Sequence, residues 1–163
     1  PAEPGVMTHK PRGRKSNFFD GGVFGAIIYQ GIFQTMLVLG VYGWAILFPE
    51  HQGHTEIHAD ALTMAFATLG LIQLLHAFNV KSVYQSIFKV GLFTNKTFNW
   101  SIPVAFVLFV VTILVPGFNN LFHVSNLSLT QWMVVAVGAL MIVVLVEIVK
   151  AVQRALGKDK NAI

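Results

Sequence analysis

Four apolar runs separated by polar connections set the frame of this chain. Residues 23–48 hold no charged side chain over 26 positions, whereas about 20 residues suffice for a helix to cross the hydrocarbon of a bilayer. The first span is therefore long enough to tilt. Further runs at about 61–80, 102–116 and 132–150 predict three more spans. Tyr42 and Trp44, near the end of the first, suit an interfacial belt, Pro103 fits the first turn of the third, and Pro116-Gly117 closes it. Residues 49–60 and 119–131 read as loops. In the connection 81–100, Phe88, Leu92 and Phe93 are spaced as on a short amphipathic helix lying along the membrane surface. The pattern as a whole predicts an all-α polytopic membrane protein with four transmembrane helices.

The second run carries a polar stripe. Gln73, His76 and Asn79 are spaced by three, and at about 100° per residue they step around one side of a helix, with Thr68 falling beside Asn79. Leu71, Leu74, Leu75 and Phe78 take the opposite arc, where lipid is expected. Hydrocarbon cannot hydrogen-bond an amide or an imidazole, so the stripe must face protein, water or an ion. Interhelical hydrogen bonding and an ion pathway both satisfy that requirement. Gly70 and Ala77 flank the polar arc, and in the first span Gly21 with Gly25, and Gly40 with Gly43, give further places for a partner backbone to come close.

Composition agrees: 55% of the 163 residues are hydrophobic and 11% charged, far from the balance of a soluble domain. Without repeats or low-complexity tracts, residues 23–150 read as one helical membrane domain. There is no cysteine, which removes disulfide frameworks and thiolate chemistry. The chain begins with Pro, and its first twenty residues are basic without an apolar core, so they read as no signal peptide and the chain as a possible fragment.

A net charge of +4 would ordinarily raise nucleic acid as a partner, but the placement of the cations argues for membrane lipid and topology instead. All eleven Lys and Arg fall in residues 1–22, in 81–100, or in the end of the last span with the tail 151–163. Both other connections have none. By the positive-inside rule the three basic regions are cytoplasmic, and so are both termini.

Candidate chemistry is sparse. Glu50, His51, His54, Glu56, His58 and Asp60 offer ligand types for zinc or copper, with His54 and His58 four apart, or simply form a solvated acidic loop. His76 as a haem ligand lacks a second membrane histidine. Asn126-Leu-Ser128 matches a glycosylation sequon. Glu147 and Lys150 are close enough for a local ion pair at the helix end. No nucleophile with its base, phosphate loop or paired-carboxylate site is visible, so the isolated chain reads as no enzyme.

Four stretches, in order, carry a family resemblance: Pro1-Ala-Glu-Pro-Gly-Val-Met7 with HKPRGRKSNFF (9–19), MAFATLGLIQLLHAFNVKS (64–82), SIFKVGLFTNK (86–96) and LSLTQWMVVAVGALMIVVLVEIVKAVQR (127–154). Together they resemble the C-terminal membrane part of P-type calcium-transporting ATPases, their seventh to tenth transmembrane helices. The resemblance implies a support part for the transport core of an ATP-driven pump. Calcium, magnesium and ATP would serve the parent, with the phosphorylated Asp, the nucleotide and actuator domains and the main ion-binding helices upstream. Partners would be those remaining helices and cytoplasmic domains, and the location the plasma membrane.

Residues 1–22 would be the cytoplasmic loop after the parent's sixth helix, with Lys10, Arg12, Arg14 and Lys15 docking to the phosphorylation domain. Gln73 stands where pumps of sarcoplasmic-reticulum type place a calcium-binding carboxylate, next to His76 and Asn79 in the ion-site neighbourhood. A neutral amide is a weaker calcium ligand, which resembles pumps of plasma-membrane or secretory-pathway type that move one calcium per cycle. The competing reading is a free-standing four-helix transporter or accessory subunit.

Overall fold

The computed structural model describes residues 22–51, 53–91 and 93–157. Among the described residues the elements are α1 (Val23–Leu47), α2 (His54–Asn79), α3 (Ile87–Val90), α4 (Lys96–Leu114), α5 (Phe118–Phe122) and α6 (Leu129–Ala155). No strand occurs among them. α1, α2, α4 and α6 are long and apolar enough to cross a membrane. The all-α, four-span architecture expected from the apolar runs is the one found.

Local chemistry sets where the helices begin. Ser128 and Gln131 form a reciprocal capping box at the start of α6, which satisfies two backbone groups that would otherwise lack partners. Asn95 caps α4 by accepting from the Phe98 amide at 3.2 Å, and this cap carries the helix back to Lys96. The third span thus starts six residues before Ile102, and Pro103 lies inside the helix, not in its first turn. α2 likewise begins at His54, so more than half of the expected 49–60 loop is helical. The amphipathic helix expected in 81–100 is reduced to the single turn α3, ended by Gly91 at φ 89°. α5 interrupts the expected 119–131 loop, and α6 runs five residues past Lys150.

α1, α2 and α6 pack together as a unit, while α4 leans on α2. Lipid tails are as apolar as leucine, so helices associate here through close packing and interhelical hydrogen bonds more than through water exclusion. Small residues permit that approach. Ala45, Ala61 and Ala67 join Val41, Met64, Ile113 and Val135 in one buried cluster, and Ala139 joins Ile72, Ile142 and Val146 in another. A side chain at Gly138 of α6 would press on the Val41 methyl of α1 at 2.7 Å. Gly70 of α2 is covered by the Phe109 ring of α4, as the small-residue reading of that position expects. Gly25, Gly40 and Gly43 meet no neighbour within 4 Å among the described residues.

Successive long helices alternate in direction, so that α2 and α6 run parallel and the connections gather at two ends. At one, the first turns of α2 meet the residues joining α5 to α6, through Asp60 and Ser125. At the other, Gly22, held at φ 82°, abuts the Tyr84 hydroxyl, and Arg154 Nη1 donates to the Tyr84 carbonyl at 2.7 Å. The acidic connection and the lysine-bearing connection therefore stand at opposite ends of the bundle.

Candidate ion-site face and the polar clusters at the bundle ends

The polar stripe of α2 is divided by the fold. Thr68 and Asn79 are buried, His76 is half-buried, and Gln73 is exposed. Helix geometry explains the division: Thr68 and Asn79 lie about 20° apart, whereas Gln73 stands about 120° to 140° away from both. Gln73 shares its outward face with Leu62, Phe66 and Leu69. Its Nε2 donates to Gln34 Oε1 of α1 at 3.1 Å, so two amides form an open pair beside the seam of α1 and α2. Sequence reasoning missed Gln34 because the first span was read for its lack of charge, although Gln30, Gln34 and Thr35 stand within two turns of one another. Leu71 and Leu75, expected to face lipid, instead pack against the buried clusters. The reason is that α1 and α6 both sit on that side of α2.

Of the interhelical hydrogen bonds expected from the stripe, the Gln73 bond is present. Thr68 Oγ1, His76 Nδ1 and both Asn79 side-chain polar atoms are buried without hydrogen-bond partners among the described residues. The Asn79 contribution comes from its backbone. Its carbonyl accepts from Lys150 Nζ at 2.7 Å, and Lys150 is completely buried.

That contact belongs to a row on α6. Glu147, Lys150 and Arg154 lie one turn apart on one side of the helix. Glu147 Oε1 accepts from the Ile87 amide at 3.0 Å, Lys150 donates to the Asn79 carbonyl, and Arg154 donates to the Tyr84 carbonyl. The expected Glu147 and Lys150 neighbourhood thus reaches out to backbone groups at the end of α2 and in the connection that follows. Backbone partners are invisible to motif reading.

At the opposite end Asp60 is the hub. It is 5% exposed, and its carboxylate accepts from Ser125 Oγ at 2.7 Å, Gln131 Nε2 at 3.0 Å and His51 Nδ1 at 2.7 Å. Ser125 is also held by its amide donating to Thr63 Oγ1 at 2.9 Å. Three donors on one carboxylate offset the cost of enclosing its charge. In return, the hydrogen bond to Asp60 holds the exposed His51 imidazole above the usual histidine range.

His54 and His58 both fall in the first turns of α2, one turn apart, while His51 turns to Asp60. His54 opens α2, and His58 Nδ1 lies 3.4 Å from the Tyr42 hydroxyl. Among the described residues no three His, Asp or Glu side chains converge as they would around a metal ion. Ser128 of the sequon is the α6 cap. Lys10, Arg12, Arg14 and Lys15 lie outside the described residues.

Comparison with known proteins gives these features a common setting. Residues 1–152 match the family model described as cation transporting ATPase, C-terminus. The chain is 34% identical over 169 residues to calcium-transporting ATPase 1 of Bacillus cereus, covering 94% of this chain and 18% of that protein. It is also 34% identical over 153 residues to a calcium-transporting ATPase of Listeria monocytogenes, and 29% identical over 153 residues to calcium-transporting ATPase 1 of Lactococcus lactis. Each of these two alignments covers 93% of this chain and 16% of the relative. The chain thus spans less than a fifth of the length of the relatives it matches. Matched over nearly all of its length, it belongs to the family of cation-transporting ATPase C-terminal membrane regions.

Proposed function

We propose that this chain is the C-terminal membrane support of an ATP-driven P-type pump whose cargo is calcium, carried one ion per cycle. The observation that carries the reading is the Gln73 to Gln34 amide pair on an open face. Gln34 stands near the middle of α1 and Gln73 within the apolar part of α2. Amides at that depth need a polar or protein neighbour. Further helices of the pump would close over this face, with Gln73 presented toward the ions as a neutral group. Calcium favours hard, anionic oxygen ligands, so an amide in place of a carboxylate supports one strong site over two.

Both termini would be cytoplasmic, since the described lysines gather at one end of the bundle, and the membrane would be the plasma membrane. The basic residues Lys10, Arg12, Arg14 and Lys15 would dock to the phosphorylation domain. Magnesium and ATP would be held by parts of the pump outside this chain.

The test is made on the full-length protein. ATP-driven uptake of radioactive calcium into inverted vesicles, with one calcium bound per protein by isothermal titration, is the expected result. Two calcium ions of similar affinity would sink the one-ion reading, and ATP hydrolysis indifferent to calcium would sink the calcium reading.

A further inference from the structure

We propose that the lysine-bearing edge made by α3 and the first turns of α4 is a docking surface for the headgroup of an anionic phospholipid. Five residues carry the proposal. Phe88, Phe93 and Trp100 are 73%, 81% and 75% exposed, and Lys89 and Lys96 stand among them in sequence, also exposed. Trp100 is four residues after the start of α4, or about 6 Å along its axis. Beyond it, Val104, Val107 and Leu108 continue an outward apolar face down the helix. A lipid whose tail follows that face has its phosphate level with Lys96 and Trp100. Tryptophan favours that headgroup depth, with its ring in the apolar zone and its N–H toward water.

The charge balance fits an anion. Among the described residues Glu147 is the one carboxylate at this end, and it is engaged with the Ile87 amide. Glu50, Glu56 and Asp60 are at the other end. A cleft of about 340 Å³ lined by Lys96, Asn99, Trp100 and Pro103 opens at this edge.

The edge is also held in shape. Glu147, Lys150 and Arg154 fix the backbone of the α2 to α3 connection from α6. Lys81 Nζ lies 4.7 Å from the Phe98 ring centroid and 5.3 Å from that of Phe78, linking the end of α2 to the first turn of α4. An acidic protein partner would match the lysines equally well. The run of outward apolar side chains leading into the hydrocarbon is what selects lipid.

The experiment is native mass spectrometry of the full-length protein released from nanodiscs containing phosphatidylglycerol and phosphatidylcholine. The expected result is preferential retention of phosphatidylglycerol. Each cation should contribute about fivefold, so Lys89→Gln with Lys96→Gln should weaken retention about 25-fold, while Lys89→Arg with Lys96→Arg keeps it. Both positions are exposed, and helical circular dichroism confirms that the variants fold. Equal retention of the two lipids, undiminished phosphatidylglycerol in the glutamine variant, or displacement of the lipid by inorganic phosphate would each overturn the proposal.

Discussion

Lys150 of α6 drives its ammonium group onto the Asn79 carbonyl at the end of α2, 2.7 Å away, with the whole lysine enclosed. A charge in this position is costly to bury and is retained where it satisfies backbone groups that have no water available. Lys150→Met keeps the stem and removes the donor. We expect a loss of about 1–3 kcal/mol, read as a lower unfolding midpoint in detergent.

Asp60 accepts from three side chains, two of them, Ser125 and Gln131, drawn from the far side of the chain. Asp60→Asn sets an amide N–H against donors and leaves part of the set unsatisfied. The expected cost is about 3 kcal/mol. Denaturant unfolding would measure it, and a midpoint equal to that of the unmodified protein would contradict the hub role.

His51 gives that cluster a pH dependence whose sign is fixed. The hydrogen bond to the Asp60 carboxylate raises the folded pKa of the imidazole, so the folded chain binds the proton more tightly than the unfolded chain. The associated stability is complete below the unfolded value of about 6.5 and is lost as pH rises through the higher folded value. Thermal unfolding should therefore move to lower temperature as pH is raised through neutrality. His51→Gln, which can still donate but does not titrate in this range, should flatten the slope.

Gly138 tests the close approach of α6 to α1. In an isolated helix Gly→Ala is favourable by about 1 kcal/mol. Here the added methyl meets a γ-methyl of Val41 at 2.7 Å, and Val41 is buried and stiff about χ1. Gly138→Ala should be net destabilising by about 1–3 kcal/mol. Repeating the measurement in a Val41→Ala background should recover much of the loss.

Gln73 separates a structural role from an ionic one. Because its amide is exposed on this chain and bonded to Gln34, Gln73→Leu should change the stability of the helix unit by less than about 1 kcal/mol. In the full-length pump, Gln73→Glu should strengthen calcium binding or alter its pH dependence. Unchanged calcium titrations at every pH would argue against an ionic role.

The hydrophobic pattern determined the four spans, because the length of an apolar run and the thickness of hydrocarbon are local quantities. The distribution of lysine and arginine separated the connections into two groups, and among the described residues the lysine-bearing connection after α2 and the connections without lysine or arginine lie at opposite ends of the bundle. Helix starts were less legible. The caps at Asn95 and Ser128 act over three residues, and they outweighed the change from polar to apolar sequence that marked the expected boundaries at Ile102 and Trp132.

What tertiary structure alone decided was the facing of each side chain. A period of 3.6 residues says that Thr68 and Asn79 share a side and that Gln73 stands apart from them. It does not say where α1 and α6 will press. That depends on Gly138, Ala67 and their opposite numbers fitting at close range, and on partners far off in sequence, such as the Asn79 carbonyl for Lys150, Gln34 for Gln73 and Ser125 for Asp60. Periodicity is a property of one helix, whereas burial is a property of the surfaces that meet it.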